Sequence, residues 1–223
     1  MRLIKYILGE AGKILSPDET SIYNIIIRDC SEILDVYRKT LKIDKYHWVL
    51  WRGSYNDINV FKEFTPRMDR RPKDTAQWLH DLYDKRFKEK FGWNVRSEGV
   101  FVTSNKSFAG SFGDPFAFFP LNDFKFVWSK EVDDLTGYLG SGKYDQAKPE
   151  EYDIRIMKLM RTYQDDDLEQ AIVTTHEIAF KCKEYYLVNA NRIHLHKLMD
   201  LSKNMDNPDQ LKFRFMFKKG DPI

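Results

Sequence analysis

The chain has 223 residues, and its 36 basic and 34 acidic side chains leave a formal charge of +2, too small a net field to recruit nucleic acid or an anionic membrane by itself. With 42% hydrophobic and 31% charged residues, the composition excludes a disordered chain and suits one main core with an appendage. The apolar start is broken by Lys5, Glu10 and Lys13, and no small-residue cleavage site follows, so neither a signal peptide nor a transmembrane helix is expected.

Ser16, Pro17 and the acidic residues after them carry helix-start chemistry. Ile22, Ile25, Ile26, Cys30, Ile33, Leu34 and Tyr37 then recur at spacings of three and four, which predicts one amphipathic packing helix. "YHWVLWRGS" reads as a buried strand ending at Arg52, stopped by Gly53 and Ser54. The prolines and charges of "TPRMDRRPKDT" mark an exposed loop, with a phosphate or nucleic-acid contact as the alternative. A helix follows, capped by Asp74 or Thr75, with Trp78, Leu79, Leu82, Tyr83 and Phe87 on one face and Gly92 at its end.

The aromatic-rich centre predicts a strand over 100–103, a short turn or helical segment over 107–113, a strand over 116–120 and a hairpin partner over 124–128. Helices are expected over 153–162 and 166–173. A strand over 178–180 turns at "KCKE" and returns as "YYLVN". A helix over 191–205 precedes a last strand in which Leu211, Phe213, Phe215 and Phe217 alternate with Lys212, Arg214, Met216 and Lys218. The domain plan is a helical extension over 1–44, a core over 45–190 and a C-terminal helix and strand over 191–223.

Glu177 stands at the threshold of an apolar strand, where an unpaired ionised carboxylate is costly to take out of water. It faces either solvent or a pocket that uses it. Together with Arg52 in "HWVLWRGS" and the hydroxyls of "VFVTSNKSFAGSFG", it forms a series of three strand-end positions. In that order the chain resembles the Arg-Ser-Glu, cholera-toxin-like class of ADP-ribosyltransferases over roughly residues 45 to 190, and its texture is similar to members carried by tailed bacteriophages.

The resemblance implies an α+β fold of split antiparallel sheets around an NAD cleft, preceded by a helical segment. It implies transfer of ADP-ribose from NAD, a substrate, to a macromolecular acceptor, protein or nucleic acid. Glu177 would stabilise the oxocarbenium character that develops as nicotinamide leaves. Arg52, beside Gly53, would bind the NAD phosphates. A hydroxyl of Thr103 or Ser104 would orient the glutamate or the ribose, and Phe108 or Phe112 would stack on nicotinamide. The chain reads "VTSN" where the family has Ser-Thr-Ser, so Val102 or Thr103 takes the first position. It carries Thr175 where arginine- or asparagine-modifying members have Glu or Gln, which leaves other acceptors open.

Rival readings make Arg52 a solvated strand-end charge, Glu177 a junction charge facing water, and "SFAGSFGDP" a tight turn. On these readings the protein is a catalytically silent structural or virion-associated module, or a nucleic-acid binder using the 66–73 loop. "HLH" at 194–196 falls in a helix, where a spacing of two does not share a face, so no metal is expected. "RTYQDDDLE" lacks calcium-loop spacing and reads as a solvated helix start, and the alternation of "KFRFMFKK" reads as core packing. Cys30 and Cys182, far apart in apolar surroundings, are expected as reduced core thiols in a cytoplasmic protein with no membrane partner.

Overall fold

The computed structural model describes residues 19–68, 70–71, 75–135 and 148–203. The helix start at Ser16 and Pro17, the cap at Asp74 and the alternating strand over 211–217 lie outside them. Among the described residues the chain is a mixed α+β protein with eight helices and two four-stranded antiparallel sheets. No described helix is long and apolar enough to cross a membrane.

The predicted first helix is two helices, α1 (Glu19–Asp29) and α2 (Ser31–Ile43), because Cys30 leaves helical geometry at φ −127° and ψ 31°. Its thiol is buried and reaches the Phe119 carbonyl at 3.7 Å, and Tyr37 Oη donates to the Phe118 carbonyl at 2.6 Å. The break thus keeps both apolar stripes on one core. Strand β1 (Trp51–Ser54) begins where the sequence reading had its strand ending, so Arg52 lies inside it. Trp48, Val49 and Leu50 are buried outside any strand, and what looked like strand character there is burial.

Next come β2 (Phe61–Phe64), α3 (Gln77–Phe91), the single turn α4 (Val95–Glu98), β3 (Val100–Val102) and α5 (Lys106–Gly110). Ala76, not Thr75, takes the cap position of α3, and Gly92 closes that helix at φ 81° as its spacing predicts. The chain continues through β4 (Asp114–Pro120), β5 (Lys125–Ser129), α6 (Pro149–Met160), β6 (Tyr163–Gln164), α7 (Leu168–Thr174), β7 (Ile178–Lys181), β8 (Tyr185–Val188) and α8 (Leu195–Lys203).

Neither predicted hairpin forms. One sheet has the order β1-β4-β8-β2 and the other β3-β7-β5-β6, so the turns after β4 and after β7 each carry the chain from one sheet to the other. "LND" is tied to the α1–α2 junction instead, with the Asn122 amide donating to the Asp29 carbonyl at 2.9 Å. The sheets touch at one bridge, where the Trp51 amide donates to the Thr103 carbonyl at 2.7 Å and the Thr103 amide to the Trp51 carbonyl at 3.1 Å.

The main core lies between the sheets and beneath α1, α2, α7 and α8. A second core packs α3 and α6 on the far side of β5 and β7. Strand β7 serves both: Ile178 and Phe180 enter the first and Ala179 the second, the period-two alternation of a strand. Phe180 meets Phe118 of the opposite sheet at 5.3 Å between centroids, with Phe124 at 5.2 Å. Phe180→Ala is therefore expected to cost about 3 to 5 kcal/mol of unfolding free energy, measured by chemical denaturation.

Candidate functional site

A cavity of about 550 Å³ lies beside the bridge that joins the sheets, within the size range that encloses a small-molecule ligand. Strand β1 contributes Trp51, Arg52 and Gly53, and β3 contributes Phe101 and Val102, followed by Thr103. The segment after β3 adds Phe108 and Phe112, and Glu177 enters from the residue before β7. Of the residues named from sequence, Arg52, Gly53, Thr103, Phe108, Phe112 and Glu177 line one cavity, and Ser104 does not.

Ser104 is 2% exposed, and its hydroxyl donates to the Ile172 carbonyl at 2.5 Å. The Thr103 hydroxyl donates to the Thr175 carbonyl at 2.7 Å and accepts the Asn105 amide at 3.1 Å. Both hydroxyls thus hold the end of α7, two residues before Glu177. Gly53 admits α5 against β1: a Cβ there would stand 2.3 Å from the Ala109 carbonyl oxygen and 2.9 Å from Phe112 Cβ. Gly113, at φ 117°, meets the Ser54 backbone with similar closeness. "SFAGSFG" is thus a short helix and turn pressed on β1, and that presses Phe108 and Phe112 to the cavity.

Glu177 is half-buried, its amide donating to the Asp133 carbonyl at 2.9 Å. His176 clamps the same loop, with Nδ1 2.9 Å from the Ser129 carbonyl and Nε2 2.9 Å from Asp133. Burial, reinforced by the neighbouring Asp134 charge, pushes the Glu177 carboxyl up to about 7, against the lowering influence of the Leu135 amide, Arg96 and Arg70.

Arg52 shares the cavity with Arg67, Arg70, Arg71 and Arg96. Arg52 Nη1 donates to the Phe101 carbonyl at 2.8 Å, and its guanidinium lies 5.9 Å from the Tyr185 ring centre. Arg70 rests on Phe101 at 5.0 Å and Arg96 on Tyr83 at 5.3 Å. Partial loss of solvent and the nearby Arg52 charge hold Arg70 below the ordinary arginine value. Arg96 is placed by Asp84, whose buried carboxylate accepts its amide at 2.7 Å and that of Ser97 at 3.1 Å. Burial pushes Asp84 up, but hydrogen bonds from His80, Ser97 and that amide outweigh it and leave the carboxyl below its usual value.

Sequence reading missed Arg96, which carries no pattern of its own in a four-residue helix. The basic run "PRMDRRPK" reads from sequence as an exposed loop with a phosphate or nucleic-acid contact as the alternative, without Arg70 or Arg71 being singled out for the site. Those residues are exposed, as expected of a loop, yet they line the cavity. Compared with protein-family models, curated proteins and solved structures, the chain matches none.

Two outcomes are expected. Gly53→Ala drives a side chain into backbone and lowers stability by about 1 to 3 kcal/mol, seen in thermal melts. Between about pH 4.5 and 7 the folded chain keeps a proton on Glu177 that the unfolded chain releases, so ionisation of this group costs stability as pH rises. Glu177→Gln should match the wild type at pH near 4 and exceed it near pH 8 by about 1 to 3 kcal/mol.

Proposed function

We propose that the chain is an NAD-dependent mono-ADP-ribosyltransferase, its two sheets forming the split architecture of that family around this cavity. The observation that carries the reading is the meeting in one cavity of Arg52, Thr103 and Glu177 from three distant stretches of chain. A guanidinium has five donors, and Arg52 spends one on a carbonyl, leaving a fork for a pyrophosphate. Phe108 offers a face for the nicotinamide ring, and the cavity volume suits a dinucleotide bound with one end outside.

In the reaction the bond between ribose C1′ and the nicotinamide nitrogen breaks, its electron pair leaving with nicotinamide. The acceptor's nucleophile bonds to C1′ and its proton is released. Positive charge on the ribose exists only on the way between these states, so ionised Glu177 favours the transition state over bound NAD. Thr103 acts at one remove, positioning the turn before Glu177. Thr175 supplies no acceptor-holding carboxylate, which favours an acceptor other than arginine.

Nicotinamide release from NAD by purified protein tests the reading. Glu177→Ala is expected to lower turnover at least about a hundredfold while the variant stays folded. The wild-type rate should climb with an apparent pKa near 7, as the carboxylate ionises. Absence of turnover together with absence of thermal stabilisation by NAD would rule the activity out.

A further inference from the structure

The cavity's cations are layered. Arg52 and Arg96 are half-buried, whereas Arg67, Arg70 and Arg71 are exposed on the loop at its edge. Among the described residues the arginine ion pairs involve Arg28, Arg38 and Arg86, and no carboxylate lies within ion-pair distance of Arg52, Arg70, Arg71 or Arg96. A pyrophosphate carries two negative charges, which the inner pair can match. Arg70 and Arg71 therefore leave positive charge at the edge beyond what NAD needs.

Two aromatic side chains stand at the same edge. Tyr55 is 88% exposed and Phe112 56% exposed, although both line the cavity. Phe112 meets the Phe108 ring edge-on at 5.5 Å yet stays more than half exposed, and exposed rings beside exposed arginines suit a single-stranded nucleic acid: guanidiniums track phosphates and rings take unstacked bases. An acidic protein would use the charges but not the rings.

We infer that the cavity mouth binds single-stranded nucleic acid, and, resting on the proposed activity, that this strand is the ADP-ribose acceptor. A base nitrogen or hydroxyl of the strand forms the new bond to C1′ as the bond to nicotinamide breaks, and its proton passes to solvent.

Labelled oligo(dT) and oligo(U), bound to the full chain over a range of salt concentrations and followed by fluorescence anisotropy, test the inference. Replacing both Arg70 and Arg71 with Ala should weaken binding about tenfold and flatten the slope of log K against log salt by about 1.4. Tyr55→Ala should weaken binding about tenfold with the slope unchanged. Melting temperatures confirm that the exposed substitutions leave the fold intact. Strands that do not bind, or bind indifferently to both changes, overturn the inference. So does a polyglutamate peptide that binds as tightly with Tyr55→Ala as without it.

Transfer of labelled ADP-ribose to the strand, lost in Glu177→Gln, supports the acceptor role. Hydrolysis of NAD with a bound but unmodified strand overturns that role. Strand binding without any NAD cleavage removes the proposed activity and leaves the binding site standing.

Discussion

Two backbone hydrogen bonds between Trp51 and Thr103 are the point on which the arrangement of this protein turns. They are the ladder contact between the two sheets, and Arg52, Thr103 and Glu177 are each a short step from them. Arg52 is the next residue after Trp51. Thr103 is itself in the bridge, and through its hydroxyl it holds Thr175, two residues before Glu177. Two such bonds contribute only about 2 kcal/mol net, so they set the geometry and do not supply the stability. Stability comes from the aromatic layer behind them, where Phe118 of one sheet packs on Phe180 of the other.

The electrostatics of the cavity follow from how its arginines are supported. Arg52, Arg70 and Arg96 lie over Tyr185, Phe101 and Tyr83. An aromatic face orients a guanidinium without neutralising it, as a carboxylate would. Glu177, the one carboxylate among the described lining residues, retains its proton to about pH 7, because burial and Asp134 outweigh the arginines. Among the described residues the lining is thus cationic at rest, which favours an anionic ligand.

What the sequence makes legible is divided along physical lines. Local features read well: the stripe of α3 with its glycine stop, the short helix after β3, and the strand that Glu177 precedes depend on residues within a few positions of one another. Pairing does not read. Phe116 to Phe119 are all buried, so β4 shows no alternation that would say which strand lies beside it, and the short link to β5 suggests a pairing that does not form. The same limit hid β2, whose partner β8 lies more than a hundred residues away. Arg96 and Asp84 are joined by backbone amides, which no side-chain pattern announces.

The hydroxyls of "VTSN" show how a motif can be present with its chemistry displaced. The last carbonyls of a helix lack intrahelical partners and must find donors elsewhere. The Ile172 carbonyl accepts both the Thr175 amide and the Ser104 hydroxyl, and the Thr103 hydroxyl donates to the carbonyl of Thr175, which sits at φ 64° in the left-handed region. A β-branched residue pays for that backbone, so it persists only where its surroundings dictate it. The two hydroxyls do so, and the sharp turn they enforce takes the chain from α7 to β7 in three residues with Glu177 as the last. Both hydroxyls thus serve the end of a helix. Their influence on any reaction in the cavity passes through the position of one carboxylate, because neither hydroxyl has a proton left to offer a ligand.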